Sequence, residues 1–142
     1  LPKSTTEIND GAFKETIIDK ILIPQNVTKI GKEAFYYCQS LRSVSIEEGS
    51  KLKSIGQNAF SALEQLTTLD LTNAAQLETI GNYAFAHIRV GVSFKKTRLQ
   101  SIILPNSLGP YALAILFHLT PQYTIIKITI WETTRHRILK IF

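Results

Sequence analysis

The chain has 142 residues, of which 44% are hydrophobic and 19% are charged, so it suits one folded domain and is not an intrinsically disordered chain. Its one cysteine, Cys38, cannot form an internal disulfide and cannot bind zinc alone. The net charge of +5 is uneven, because residues 1–85 carry ten acids and eight bases whereas residues 86–142 carry one acid and eight bases.

One motif recurs four times along the first 85 residues. Each copy has an isoleucine five residues before a phenylalanine and an alanine directly before it, and the phenylalanines are Phe13, Phe35, Phe60 and Phe85. Glycine follows the isoleucine in three copies and Asn9 in the first, and this glycine is expected to serve a tight turn or a close backbone approach. The spacings of 22, 25 and 25 residues are typical of a solenoid.

A second pattern, apolar–x–x–apolar–x–apolar, follows each phenylalanine and recurs at 18–23, 41–46, 66–71, 99–104 and, more weakly, 123–128. Its last three residues alternate, as a strand with one buried face requires. Pro24 and Pro105 follow two of these segments and are expected to end the strands. One unit therefore reads as a strand, a turn, a short helical turn carrying Ala-Phe, and the next strand.

Stacking such units buries the four phenylalanines in one interior column, which predicts an α/β solenoid with short parallel strands and short helical turns. We assign residues 1–105 to this solenoid, with an insertion at about 86–98. The insertion is inferred because the next strand segment begins six residues after Phe60 but fourteen after Phe85. Residues 106–142 are interpreted as a degenerate repeat, aligned on Phe117, and a basic C-terminal tail.

The stretch "IPQNVTKIGKEAFYYCQSLRSVSI" resembles the BspA-like class of leucine-rich repeats, and residues 18–85 match that pattern closely. The resemblance implies a parallel-stranded, non-enzymatic protein-binding module from a cell-surface or secreted adhesin-like protein. It also implies a host or extracellular-matrix protein as partner, whereas the extended strand surface itself suits a protein or a glycan. Because the chain has no initial methionine and begins in the middle of a unit, we interpret it as a fragment of a longer repeat array.

Residues that alternate with the buried strand positions are expected to point outward and form the ligand-binding face. These residues fall in five rows: Lys20, Leu22, Pro24; Ser43, Ser45, Glu47; Thr68, Asp70, Thr72; Ser101, Ile103, Pro105; and Ile125, Lys127, Thr129. The candidate ligand-binding residues among them are Ser43, Ser45, Glu47, Thr68, Asp70, Thr72 and Ser101.

No catalytic, metal or cofactor motif is recognisable. His87, His118 and His136 have no Cys or Glu at metal-ligand spacing, no serine stands in a nucleophile elbow, and no glycine-rich loop follows a strand. We therefore predict no enzymatic activity, no cofactor and no metal. The apolar run at 111–119 is too short to cross a bilayer, so no transmembrane segment is predicted.

Two other interpretations stay open. The bases Arg89, Lys95, Lys96, Arg98, Arg135, Arg137 and Lys140, interleaved with Phe94 and Trp131, could bind nucleic acid or another anionic polymer. Alternatively, the chain is a decayed repeat fragment without a specific partner. Asn26, in "NVT", is an N-glycosylation acceptor if the chain enters a eukaryotic secretory pathway.

Overall fold

The computed structural model describes residues 1–86, 88–90, 93–95, 98–108, 126–131 and 136–141. These ranges contain short strands and one 3-10 turn. They are β1 (Glu7–Ile8), β2 (Lys20–Ile23), β3 (Lys29–Ile30), β4 (Ser43–Ile46), β5 (Ser54–Ile55), β6 (Thr68–Asp70), β7 (Thr79–Ile80), β8 (Ile88–Val90), β9 (Ser93–Lys95), β10 (Ser101–Pro105), η1 (Asn106–Leu108), β11 (Ile126–Trp131) and β12 (His136–Ile141).

Each coil of the chain contributes one strand to each of two separate strand-lined sides. On one side, the strands that end in the repeated isoleucine form a parallel sheet in the order β1-β3-β5-β7. On the other side, β2 pairs with β4 and β6 pairs with β10, again in parallel. The predicted parallel strands are confirmed, whereas the sheet of two-residue strands was not predicted. The buried apolar side chains of both sets of strands fill the interior of the coils.

The repeated phenylalanines form a stacked column inside the coils, as predicted. Ring centroids of successive residues lie 5.2, 5.0 and 6.1 Å apart from Phe13 to Phe85, with interplanar angles of 17° or less. Phe35, Phe60 and Phe85 are fully buried, whereas Phe13, at the end of the column, is only partly buried. The column is therefore the centre of a core shared by neighbouring coils.

The prediction of a short helical turn around Ala-Phe is wrong. The described segments around the repeated phenylalanines form consecutive β-turns instead. Among the described residues, those two before and two after the repeated phenylalanines have φ between +55° and +64°. They are Gly11, Glu33, Asn58 and Tyr83 on one side and Glu15, Tyr37 and Ala62 on the other. A positive φ at the third residue of a turn is typical of type II turns and interrupts a right-handed helix.

Hydrogen bonds between coils explain why these segments do not become helical. The amide of Phe35 donates to the carbonyl of Ala59 at 2.8 Å, and the amide of Phe60 donates to the carbonyl of Ala84 at 2.7 Å. A helix would require the same N–H groups to bond within their own segment. The turns instead join one coil to the next.

The repeated glycine allows two backbones to approach closely. A Cβ at Gly31 would lie 2.5 Å from the amide nitrogen of Asp10, and a Cβ at Gly56 would lie 2.6 Å from the carbonyl carbon of Gly31. Both glycines have ordinary backbone angles, so close approach, one of the two predicted roles, is the one that the structure supports. Asn9 has the same position in the first coil, where no described coil lies on that side.

The C-terminal strands extend the second side of the solenoid. Despite the insertion, which contains the antiparallel hairpin β8–β9, strand β10 pairs in parallel with β6. Strand β11 then pairs in parallel with β10, and β12 pairs antiparallel with β11. The division of the chain at residue 105 stays a prediction.

The predicted register of the last repeat is wrong by two residues. The strand rows placed Ser101 level with Ile125, but the structure pairs Ser101 with Lys127 and Ile102 with Ile128. Because strand side chains alternate with a period of two, a two-residue shift keeps the same residues on the same face. Ile125, like Phe117, lies outside the described residues.

Cys38 is a structural side chain of the core. Its thiol is fully buried and donates to the backbone carbonyl of Phe13, with a sulfur–oxygen distance of 2.8 Å. Burial raises the pKa of the Cys38 thiol. Because the thiolate is the reactive form, the native protein disfavours reaction at this sulfur.

We expect a thiol-modifying reagent at pH 8 to react with Cys38 at least about tenfold more slowly in the native protein than in urea. The reason is that both access and thiolate formation require the coil to open. The measurement is the rate of modification of the single thiol, followed by mass spectrometry. Equal rates in the two conditions would contradict the burial of this side chain.

Candidate functional site

We call the outer face the surface formed by exposed or half-exposed strand residues that were predicted to point outward: Lys20, Leu22, Ser43, Ser45, Thr68, Asp70, Ser101 and Ile103. Ser43 and Ser45 on β4 are exposed, whereas Val44 and Ile46 between and after them are buried. The same alternation continues on the neighbouring strands. Thr68 and Asp70 on β6 are exposed, and Ser101 on β10 is half-exposed. The exposed residues of the site therefore lie on parallel strands whose buried residues pack in the core.

The strand register brings these residues together across the coils. Ser43 pairs with Lys20 and Ser45 with Leu22, whereas Thr68 pairs with Ser101. Strands β4 and β6 contact each other without ladder pairing, and the side-chain amide of Asn73 donates to the carbonyl of Ile46 at 2.8 Å. The serine and threonine hydroxyls thus follow one another from coil to coil.

The acidic candidates and Thr72 already have local partners. Asp70 Oδ1 accepts hydrogen bonds from the amide and the hydroxyl of Thr72, at 2.9 and 2.6 Å. Glu47 Oε2 accepts a hydrogen bond from the amide of Gln25 at 2.9 Å. These side chains hold the strand ends. Among the other candidate ligand-binding residues, Ser43, Ser45 and Thr68 are exposed.

The edges of the outer face are less polar than its middle. Leu22 is 52% exposed at the first strand, and Ile103 is half-buried at β10. Pro24 and Pro105 were predicted to point outward and are instead buried. The two-residue alternation therefore does not continue to these prolines.

The turns around the phenylalanines, which we call the turn side, carry contacts between coils. Lys14 Nζ lies 2.9 Å from Glu33 Oε2 and 5.1 Å from the ring centre of Tyr36. The hydrogen bond and charge of Glu33 raise the pKa of Lys14, and burial raises the pKa of Tyr36. These groups join the first two coils, so the turn side is a weaker candidate for ligand binding.

Chemistry other than binding finds little support in the described part of the chain. No group of three or more His, Cys, Asp or Glu side chains there could hold a metal ion. The two buried serines serve the fold: Ser61 donates to the carbonyl of Tyr83, and Ser50 accepts from the amide of Leu52. His87 and His118 lie outside the described residues, and His136 begins β12.

The predicted glycosylation site is engaged in the fold. The Asn26 amide nitrogen donates to the carbonyl of Lys3 at 3.1 Å, and its amide oxygen accepts from Lys51 Nζ at 2.9 Å. The Thr28 hydroxyl of the same sequon donates to the carbonyl of Thr6. A glycan would be attached to the same amide nitrogen that donates to the carbonyl of Lys3, and its presence stays a prediction.

The bases proposed for anionic polymers are distributed over several elements. Arg89 lies on β8, Lys95 on β9, and Arg137 and Lys140 on β12, while Arg98 is exposed before β10. Lys96 and Arg135 lie outside the described residues. The sequence did not reveal that Lys127 is level with Ser101 and directly opposite Lys140. The predicted register placed Ser101 level with Ile125 and therefore missed its pairing with Lys127.

Comparisons with known proteins agree with this architecture. Residues 1–120 match the model of the BspA type leucine rich repeat region, in 6 copies. A leucine-rich repeat protein from Bacteroides capillosus ATCC 29799 is 28% identical with a TM-score of 0.53, over 68% of this chain and 61% of that one. The pneumococcal vaccine antigen PcpA is 19% identical with a TM-score of 0.53, over 72% of this chain and 34% of that one.

A comparison with curated proteins finds no match. The chain thus spans less than two thirds of the length of either solved structure that it resembles. Within the described ranges, no helix has the length and apolar composition needed to cross a membrane.

Proposed function

Because the chain belongs to the BspA-type leucine-rich repeat family, we propose that it is a non-enzymatic module that binds a protein through its outer face. The observation that carries the proposal is the group of exposed residues Ser43, Ser45 and Thr68, which lies on two neighbouring strands above a buried apolar layer. Solenoids commonly bind partners along such extended surfaces, because each coil adds the same positions to one face.

The proposal extends to a host or extracellular-matrix protein as partner and to a surface-exposed or secreted, adhesin-like role. Both rest on the family to which the repeats belong. The outer face suits a protein partner because apolar Leu22 and half-buried Ile103 border its polar middle. A mixture of apolar and hydrogen-bonding groups is typical of protein interfaces.

The test compares two variants that carry the same charge change on two different sheets of the solenoid. Ser45→Glu with Thr68→Glu changes the outer face, and Ser54→Glu with Thr79→Glu changes the sheet of β5 and β7. A partner is first captured from extracellular-matrix and plasma proteins, then purified, and its dissociation constant is measured for each variant.

We expect the outer-face variant to bind about tenfold more weakly or worse, because two carboxylates are introduced at the interface. The control variant should bind within about twofold of the unchanged protein, because residues outside an interface contribute little to affinity. Equal affinities of the two variants, or a loss confined to the control, would remove the outer face as the binding surface.

A further inference from the structure

One row of the outer face consists of hydroxyls between lysines. Its middle, which we call the hydroxyl row, is Ser43, Thr68 and Ser101, each at the first position of its strand. Lys20 is the register partner of Ser43, and Lys127 is the register partner of Ser101. Lys140 lies next in line, opposite Lys127. This row therefore has cationic residues at both ends and no acid among its members.

Lys127 and Lys140 are register partners on adjacent antiparallel strands, so two lysines occupy directly opposite positions. Directly opposite residues of an antiparallel pair have Cβ atoms about 4.5–5.5 Å apart, and like charges at such positions destabilise the sheet. The acid on the neighbouring row of β6 is Asp70, whose Oδ1 accepts two hydrogen bonds from Thr72. An anionic ligand would compensate the two ammonium charges.

We propose that this row binds a sulfated polysaccharide chain that lies across the strands, with sulfates at the lysines and sugar hydroxyls at the hydroxyl row. Five neighbouring strands from β2 to β11 span about 19 Å at the usual spacing, which suits an extended polymer. A lysine ammonium binds sulfate as a point charge, and serine and threonine both donate to and accept from sugar hydroxyls. The inference rests on the proposed use of the outer face and names a ligand class for it.

A polysaccharide fits this row better than a nucleic acid does. Single-stranded nucleic acids are bound largely by aromatic side chains on which the bases stack. The row from Lys20 to Lys140 contains hydroxyls and ammonium groups and no aromatic residue. Binding to an oligonucleotide should therefore reflect charge alone and be weaker than binding to a sulfated glycan.

The experiment measures the affinity of the whole chain for heparin as a function of salt, for two double variants of equal charge. Lys127→Ser with Lys140→Ser removes two charges from the row. Lys29→Ser with Lys53→Ser removes two exposed charges outside it, on β3 and directly before β5. We expect the row variant to bind about tenfold more weakly or worse, and the control to stay within about twofold.

Lys20→Ser, at the other end of the row, tests the same inference without touching the C-terminal hairpin. It should weaken heparin binding in the same direction, by about threefold. Heparin should also raise the melting temperature of the unchanged protein and leave that of the Lys127→Ser, Lys140→Ser variant nearly unchanged. A loss of affinity in Lys20→Ser shows that the effect does not come from unfolding of the hairpin.

Equal losses in the row and control variants would show that net charge alone determines binding, and would overturn the inference. Equal affinity for heparin, desulfated heparin or a single-stranded oligonucleotide of matched charge would overturn it as well. The protein-binding proposal fails separately, because its test measures affinity for a protein partner and leaves the lysines of the row unchanged. A variant that loses heparin and keeps the protein partner would show that the two ligands depend on different residues of the same outer face.

Discussion

Phe60→Ala is expected to lower the free energy of unfolding by about 3–5 kcal/mol, which is the usual cost of truncating a buried phenylalanine. The ring of Phe60 is fully buried between two other rings, with centroids 5.0 Å from Phe35 and 6.1 Å from Phe85. Its removal leaves a cavity that both neighbouring coils line. Urea-induced unfolding, followed by far-UV circular dichroism, measures the loss.

Phe13→Ala is the matched control at the end of the same column. Phe13 is partly buried and stacks on one described ring, that of Phe35. Its truncation therefore removes fewer contacts and should cost about half as much, near 2 kcal/mol. Equal losses in the two variants would show that the interior rings are not stabilised by neighbours on both sides.

Gly56→Ala is expected to lower the free energy of unfolding by about 3 kcal/mol, although it adds one methyl group. The added Cβ would lie 2.6 Å from both the carbonyl carbon of Gly31 and the amide nitrogen of Lys32. Backbone atoms cannot move aside as a flexible side chain would, so the two coils must separate. Their separation also weakens the hydrogen bond from the Gly56 amide to the carbonyl of Ile30, which measures 2.8 Å.

Asn9→Ala changes the same repeat position where no described coil opposes it. Asn9 is exposed, so this variant should unfold within about 0.5 kcal/mol of the unchanged protein. Gly11→Ala provides a second reference, because its Cβ would meet nothing closer than 3.9 Å and only its φ of +64° is strained. That strain should cost about 1 kcal/mol. A Gly56→Ala loss no larger than this would argue against close packing of the coils.

The interior of the solenoid could be predicted from sequence because its residues recur at fixed offsets. Each phenylalanine is preceded by alanine and, five residues earlier, by isoleucine, and all three become buried in coils two to four. One unit cannot bury these side chains alone, so repetition itself predicts stacking. The match of residues 1–120 to the repeat family confirms the resemblance.

The turns could not be predicted with the same certainty, because several of their non-glycine residues adopt a backbone conformation that such residues disfavour. Glu33, Tyr37 and Ala62 adopt a positive φ that such residues rarely take. Hydrogen bonds to the next coil, such as that from Glu33 to Gln57, compensate for this strain. The sheet of β1, β3, β5 and β7 was likewise missed, because two residues are too few to show an alternating pattern.

The outer face was predictable only where alternation is clear. In β4 the pattern Ser43–Val44–Ser45–Ile46 predicts which residues point outward, and the structure agrees. The sequence could not show that Asp70 and Thr72 bond to each other, because that pair depends on where the strand ends. It could not place Lys127 either, since regularly alternating isoleucines fit two registers equally well.

The ring column is tested most directly by nuclear Overhauser effects between selectively labelled phenylalanine rings, assigned with Phe→Leu variants. The structure predicts contacts between Phe13 and Phe35, between Phe35 and Phe60, and between Phe60 and Phe85, and none between Phe13 and Phe60. If the rings of consecutive coils show no such contacts, the stacked solenoid is contradicted, and with it the continuous outer face.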